Sequence, residues 1–142
     1  MLKQFWCAAL LLCGCSALAA PPPVTLKVGI PSPIALPDQG KVELHVELVL
    51  TNPTAAAVTV TGSNRCVTHT WRVTDDQGNV VDDRSMCPMI YMPQEQMLAP
   101  GDWRSDDGIV VDAAKYTDGG HYVLHYTFWG VSADAAFTVT KR

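Results

Sequence analysis

The chain has 142 residues and carries 10 Lys/Arg against 14 Asp/Glu, a formal net charge of −4. Its cations form no cluster, which excludes binding to a nucleic-acid phosphate backbone and a polybasic membrane footprint. With 48% hydrophobic residues, a chain of this length can bury the core of one domain.

The N-terminus, MLKQFWCAALLLCGCSALAA, has one lysine, an apolar run from Phe5 to Leu12 and then small residues. That is the layout of a bacterial export signal, and the run is far short of the roughly 20 apolar residues that span a bilayer. Two cleavage readings compete. Leu12-Cys13-Gly14-Cys15 resembles a lipobox, with Cys15 as the lipidated first residue. Ala17-Leu18-Ala19 is an ordinary site for release of a soluble protein. The signal is assigned to residues 1–19, with cleavage before Cys15 as the lipoprotein alternative. Loss of Lys3 takes the formal charge to about −5. The expected location is the periplasm or, through the lipid, the outer membrane. A lipid at Cys15 is the sole membrane contact expected.

Residues 20–40 carry six prolines and read as a stiff linker with one edge strand, Val24 to Gly29. The domain proper is expected over 41–142. In KVELHVELVLT (41–51), Val42, Leu44, Val46, Leu48 and Leu50 share one face and Lys41, Glu43, His45 and Glu47 the other. Period two with one polar face is a half-buried antiparallel strand. AVTVTG (57–62) follows as another. VTHTWRVT (67–74) and NVVD (79–82) flank Asp75-Asp76-Gln77-Gly78, a hairpin turn in which Gly78 is free to take positive φ. LAPGD (98–102) holds a Pro-Gly turn. GIVVD (108–112), HYVLHYTFW (121–129) and AAFTVT (135–140) complete seven to eight strands, with no helix. The expected fold is an all-β, immunoglobulin-like antiparallel sandwich. A sharper marker supports it: Asp118-Gly119-Gly120-His121-Tyr122 has the form D-x-G-x-Y of a tyrosine corner, with Asp118, Gly120 and Tyr122 as its structural residues. Tyr122, Leu124, Tyr126 and Phe128 then face the core.

Leu48 to Thr54, Val58 to Val60, Trp71 to Gly78, Leu98 to Asp102 and Gly120 to Tyr122 together resemble, in order and spacing, the bacterial intracellular proteinase inhibitor family (BsuPI-type domains). The likeness covers roughly residues 41 to 128. It implies an immunoglobulin-like domain and inhibition of subtilisin-type serine proteinases, with no inhibitory residue to carry over. The chain departs from that family in its export signal and in the pair Cys66/Cys87.

The stretch from Cys66 to Pro93 carries the densest chemistry. Cys66 and Cys87 in an exported domain read as one disulfide, closing a loop worth on the order of 3 kcal/mol in the chain-entropy model. The competing reading is a soft-metal site for Cu(I), with Met86, Met89, Met92 and His69 as ligands. Pro88 and Pro93 put the methionines on an irregular loop, and Met86, Met89, Ile90, Tyr91 and Met92 form a candidate contact surface. His121 and His125 share a strand face about 13 Å apart, too far for one metal ion, and read as solvent-facing. His69 reads as partly buried with one hydrogen bond. Asp75-Asp76, Asp82-Asp83 and Asp106-Asp107 read as solvated turn residues; Asp75, Asp76 and Asn79 do not have EF-hand spacing. No nucleophile-elbow, zincin, P-loop or dinucleotide motif is present.

Three functions follow. The first is a non-enzymatic, exported binding or accessory domain of the cell envelope with a protein partner and no cofactor. The second is a proteinase inhibitor whose contact loop is Ser85 to Gln96, directed at a serine proteinase. The third is a periplasmic copper-binding protein using the methionine loop.

Overall fold

The computed structural model describes residues 24–62, 68–84 and 94–142. Cys15, Cys66, Cys87, Met86, Met89, Ile90, Tyr91 and Met92 lie outside the described residues. Among those described are ten strands: β1 (Thr25–Gly29), β2 (Ile34–Leu36), β3 (Lys41–Asn52), β4 (Val58–Gly62), β5 (His69–Asp75), β6 (Val80–Asp83), β7 (Gln94–Leu98), β8 (Gly101–Asp112), β9 (His121–Phe128) and β10 (Val131–Lys141). A 3-10 turn, Ala113–Lys115, is capped by the Asp112 carboxylate.

The strands form a sheet β1-β3-β8, a sheet β2-β10-β9-β5-β6 and a two-stranded β4-β7 extension. This is an immunoglobulin-like sandwich, with β3 and β8 as strands B and E and β5, β9 and β10 as C, F and G. Strand A is split between the layers, so the segment read as linker supplies an edge strand to each sheet: β1 pairs with β3, and β2 runs parallel to β10. That parallel ladder departs from the antiparallel expectation. Pro33 and Pro37 bracket β2 without entering it, and at the sheet edge the missing N–H groups cost no ladder bond.

The inner faces follow the alternation. Leu44, Val46, Leu48 and Leu50 from β3 meet Leu124, Tyr126 and Phe128 from β9, with Trp71, Val73, Ile109, Val111, Phe137 and Val139 completing the layer. Gly78 takes φ +83° in the β5–β6 turn, where Asp75 accepts from the backbone N–H of Gln77 and Asn79. At the β9 entry Thr117 N–H donates to the Tyr122 hydroxyl at 2.8 Å. A Cβ on Gly120 would lie 2.6 Å from that oxygen, so this crossing requires glycine. Asp118 accepts from Lys141 N–H at 2.8 Å, fixing the end of β10.

Two further strands and two carboxylates depart from the sequence reading. β7 is an additional strand, and β8 runs twelve residues where five were expected. Asp82 and Asp107 are not solvated turn residues. Asp82 is 8% exposed, accepts from Asp112 N–H at 2.8 Å and pairs with Lys115 at 2.9 Å. It thereby ties the last strand of one sheet to the end of β8 in the other.

Candidate functional site at the loop end of the sandwich

β9 turns into β10 through Trp129-Gly130, with φ of 48° and 74°. A two-residue hairpin of this hand needs positive φ at both positions, which Asn-Gly usually supplies. A tryptophan there bears a backbone cost of roughly 1–2 kcal/mol, which the surroundings must hold in place. Trp129 N–H donates to Thr68 O at 3.1 Å. A Cβ on Gly62 would lie 2.8 Å from the Thr68 methyl and 3.4 Å from the Trp129 ring. The end of β4, the approach to β5 and the hairpin tip therefore meet face to face.

The residues that flank 63–67 and 85–93, which lie outside the described residues, are gathered at this end. Gly62 and Thr68 flank residues 63–67, and both touch Trp129. Gln94, which follows residues 85–93 and opens β7, pairs with Gly62. Arg84, which precedes them, donates its N–H to Trp71 O at 3.0 Å and its Nη1 to His69 O at 2.9 Å.

Aromatic rings floor the same end. Trp103 stacks on Phe128 at 5.5 Å and 27° and lies 6.5 Å from Trp129. His69 packs on Phe128 at 4.5 Å. Trp103 is 37% exposed, whereas Phe128 is 1% exposed, so Trp103 is the accessible ring of the stack.

Beside the rings, three polar groups join the two sheets. The Tyr126 hydroxyl donates to Asp107 Oδ2 and lies 2.9 Å from His69 Nδ1; His69 Nδ1 is 3.8 Å from the same carboxylate oxygen. Because Tyr126 gives its proton to Asp107, its oxygen must accept from His69. Nδ1 therefore carries the hydrogen and Nε2 is left as an acceptor. Burial holds the His69 pKa below 6.5; Asp107 opposes this and Arg84 reinforces it. Burial, then the bond to Asp107, pushes the Tyr126 phenol upward, so it stays a neutral donor. Asp107 points inward from an edge strand, a placement that discourages indiscriminate pairing at that edge.

A pH dependence follows. His69 folds neutral with a depressed pKa, so its contribution to stability is complete above pH 6.5. As pH falls below 6.5 the unfolded chain takes up a proton that the folded chain refuses, and stability declines until the folded pKa is passed. Urea midpoints at intervals from pH 7.5 to 5 should fall for the wild type and flatten for His69→Gln. Equal slopes would remove His69 as the cause.

The other sequence candidates are spread out. His69 is half-buried and hydrogen-bonded to Tyr126, but the methionines and cysteines placed beside it lie outside the described residues. His121 is exposed. His125, read as solvent-facing, is bonded to Thr74 Oγ1 at 2.9 Å and Asp134 Oδ1 at 2.7 Å. That string of hydroxyl, imidazole and carboxylate has the atom order of a hydrolase triad. Thr74 is 8% exposed, so its hydroxyl is shielded from a substrate, and the string locks β5, β9 and β10 together across one sheet face. Among the described residues, no three His, Cys, Asp or Glu side chains converge to hold a metal ion, and no helix is long and apolar enough to cross a membrane.

No family model matches the chain, and no curated protein matches it. Among solved structures it is similar to a β-glucosidase from Listeria innocua in complex with laminaribiose, at 13% identity and a TM-score of 0.42. The same enzyme in complex with isofagomine gives 12% and 0.40. In both cases the match covers 82% of this chain and 16% of that one.

Proposed function

We propose that this chain is an exported, non-enzymatic binding or accessory domain of the bacterial cell envelope, which engages a protein partner through the loop end of its sandwich. The observation that carries the reading is the convergence at Trp129. A strained tryptophan, an exposed Trp103 and the residues flanking 63–67 and 85–93 share one end, and strain of this kind concentrates where a surface is pre-organised for contact. Aromatic anchors ringed by polar groups are the usual centre of a protein interface. In this reading the signal over residues 1–19 directs export, with Cys15 as the lipid anchor or release after Ala19. Cys66 and Cys87 form a disulfide joining these two segments.

A photo-crosslinking amino acid at Trp103, compared with one at Val80 in the hairpin at the opposite end, tests the proposal in the producing cell. A discrete adduct from position 103 and none from position 80 is expected. Equal yields at the two positions, or turnover of a hydrolase substrate panel by the purified domain, would overturn it.

The second reading, a proteinase inhibitor of the BsuPI type, is favoured by one observation. Of the segment Ser85 to Gln96, the last three residues, Gln94 to Gln96, are strand β7 paired with β4, and Arg84, just before the segment, is bonded to Trp71 and His69 of β5, so residues 85–93 are held at both flanks. Fixed feet lower the ordering cost of a loop that enters a proteinase cleft. Slowed subtilisin at micromolar domain would support it, and unaltered proteolysis would dismiss it.

A further inference from the structure

We propose that β8 is the docking edge for a second copy of this chain, which adds its own β8 antiparallel and joins the two three-stranded sheets. The inference is independent of the partner at the loop end. Strand β8 is twelve residues long and terminal in its sheet, paired with β3 along its whole length. In the constant-type immunoglobulin order, strand D lies beside E. Here β7, which enters β8 through Gly101 at φ +100°, pairs with β4 instead. Among the described residues, the outer edge of Gly101 to Gly108 has no strand beside it. Past Gly108 the edge turns under β6, where Asp112 N–H meets Asp82.

A row of main-chain donors and acceptors is satisfied by another extended strand, and the charges select which one. Asp102, Arg104 and Asp106 alternate along the outer face. Asp106 stands directly opposite Glu47 of β3, an unfavourable like-charge pair, with His45 Nε2 3.5 Å from its carboxylate. Asp106 thus accepts a cation on its open side, and Arg104, whose 3.7 Å pair with Asp102 of its own strand is exposed and weak, can turn its guanidinium to an anion across the edge. A two-fold axis through Ser105 supplies both: Arg104 of each copy stands opposite Asp106 of the other, and Asp102 stands opposite Gly108. Centring on Arg104 would oppose arginine to arginine, and centring on Asp106 would oppose aspartate to aspartate. The Ser105 register is isologous and closed, so it yields a dimer and not a fibre. Inward-pointing Asp107 does not obstruct it, because its carboxylate is already bonded to Tyr126 of its own sandwich.

Sedimentation velocity of the full chain over a concentration series should show a reversible dimer. Arg104→Asp and Asp106→Arg, each converting two attractive pairs into two repulsive ones, should each weaken it about tenfold or more, and the double substitution should restore it. The Arg104 and Asp106 side chains are 75% and 69% exposed, so the core is untouched; circular dichroism checks the fold. Ser105→Cys should link two copies through residue 105, mapped on peptides by mass spectrometry. A monomer at every concentration, a dimer indifferent to both single substitutions, or the absence of a 105–105 link would overturn the proposal.

Discussion

Replacing Phe128 by Ala is expected to destabilise the fold by about 3–5 kcal/mol. The ring is 1% exposed and lies between Trp103 and His69. Its removal forfeits the burial of a large side chain and leaves a cavity that two anchored neighbours cannot fill. Domains of this size hold about 5–15 kcal/mol in total, so the variant should unfold at a much lower urea concentration, with the slope of the transition retained. Phe128→Leu keeps most of the volume and should cost under about 1.5 kcal/mol if the site repacks. The same pair of variants tests the loop end, because Trp103 stands on Phe128. Its fluorescence should shift in the Ala variant even under conditions where the chain is still folded. A midpoint unchanged by Phe128→Ala would mean that the ring is not packed as described.

Asn52→Ala is the second large effect, expected at about 2–4 kcal/mol and a fall of roughly 10 °C in thermal midpoint. Asn52 is 1% exposed, and both ends of its amide are engaged. Nδ2 donates to Ala56 O at 2.8 Å and Leu98 O at 3.1 Å. Oδ1 accepts from Thr54 N–H at 3.0 Å and from the Thr54 hydroxyl at 2.7 Å. One side chain thus closes the β3–β4 connection and pins the end of β7. Truncation leaves the buried Leu98 carbonyl without its donor, while Ala56 O keeps the Thr54 hydroxyl at 2.8 Å. Asn52→Asp should be at least as damaging despite its shape, because a carboxylate would face those carbonyls with no donor. Calorimetry on the three proteins checks the order. An Asp variant as stable as wild type would show that the shape of the side chain, and not its donors, holds this corner.

The legible part of the fold was the part written in alternation. In 41–51 and 121–128 the inner and outer sets separate cleanly, and Leu44 to Leu50 and Tyr122 to Phe128 are buried as their parity demands. The first half of β8 was hidden because its charges occupy both faces. Asp102, Arg104 and Asp106 point out while Asp107 points in, so no period appears. A signal was present nonetheless: Ile109 and Val111 are inward, and carrying that parity back places Asp107, Ser105 and Trp103 on the same face. The loop-end site was not legible at all as a unit. Its members, His69, Asp107 and Tyr126, come from three strands in two sheets, and pairing register across a sandwich is not encoded in local spacing. That Asn52 reaches Leu98 depends on where β7 lies, and β7 itself, Gln94–Leu98, has too little apolar character to announce a strand.

The parallel pairing of β2 with β10 sets when this chain can finish folding. Ile34, Ala35 and Leu36 find their partners at Val139, Thr140 and Lys141, and the Lys141 ammonium reaches back to Pro37 O at 3.0 Å. The sandwich is thus closed by joining its first strands to its last, across nearly the whole domain. Loops of that length must be closed before the contacts that reward closure can form, which places the domain among slow, high-contact-order folders. A chain emerging N-terminus first cannot complete the ladder until residues 139–141 are free. Until then β9 lacks its neighbour on one edge, and Tyr122, which stacks on Phe137 of β10 at 5.6 Å, stands open to aggregation or to a chaperone.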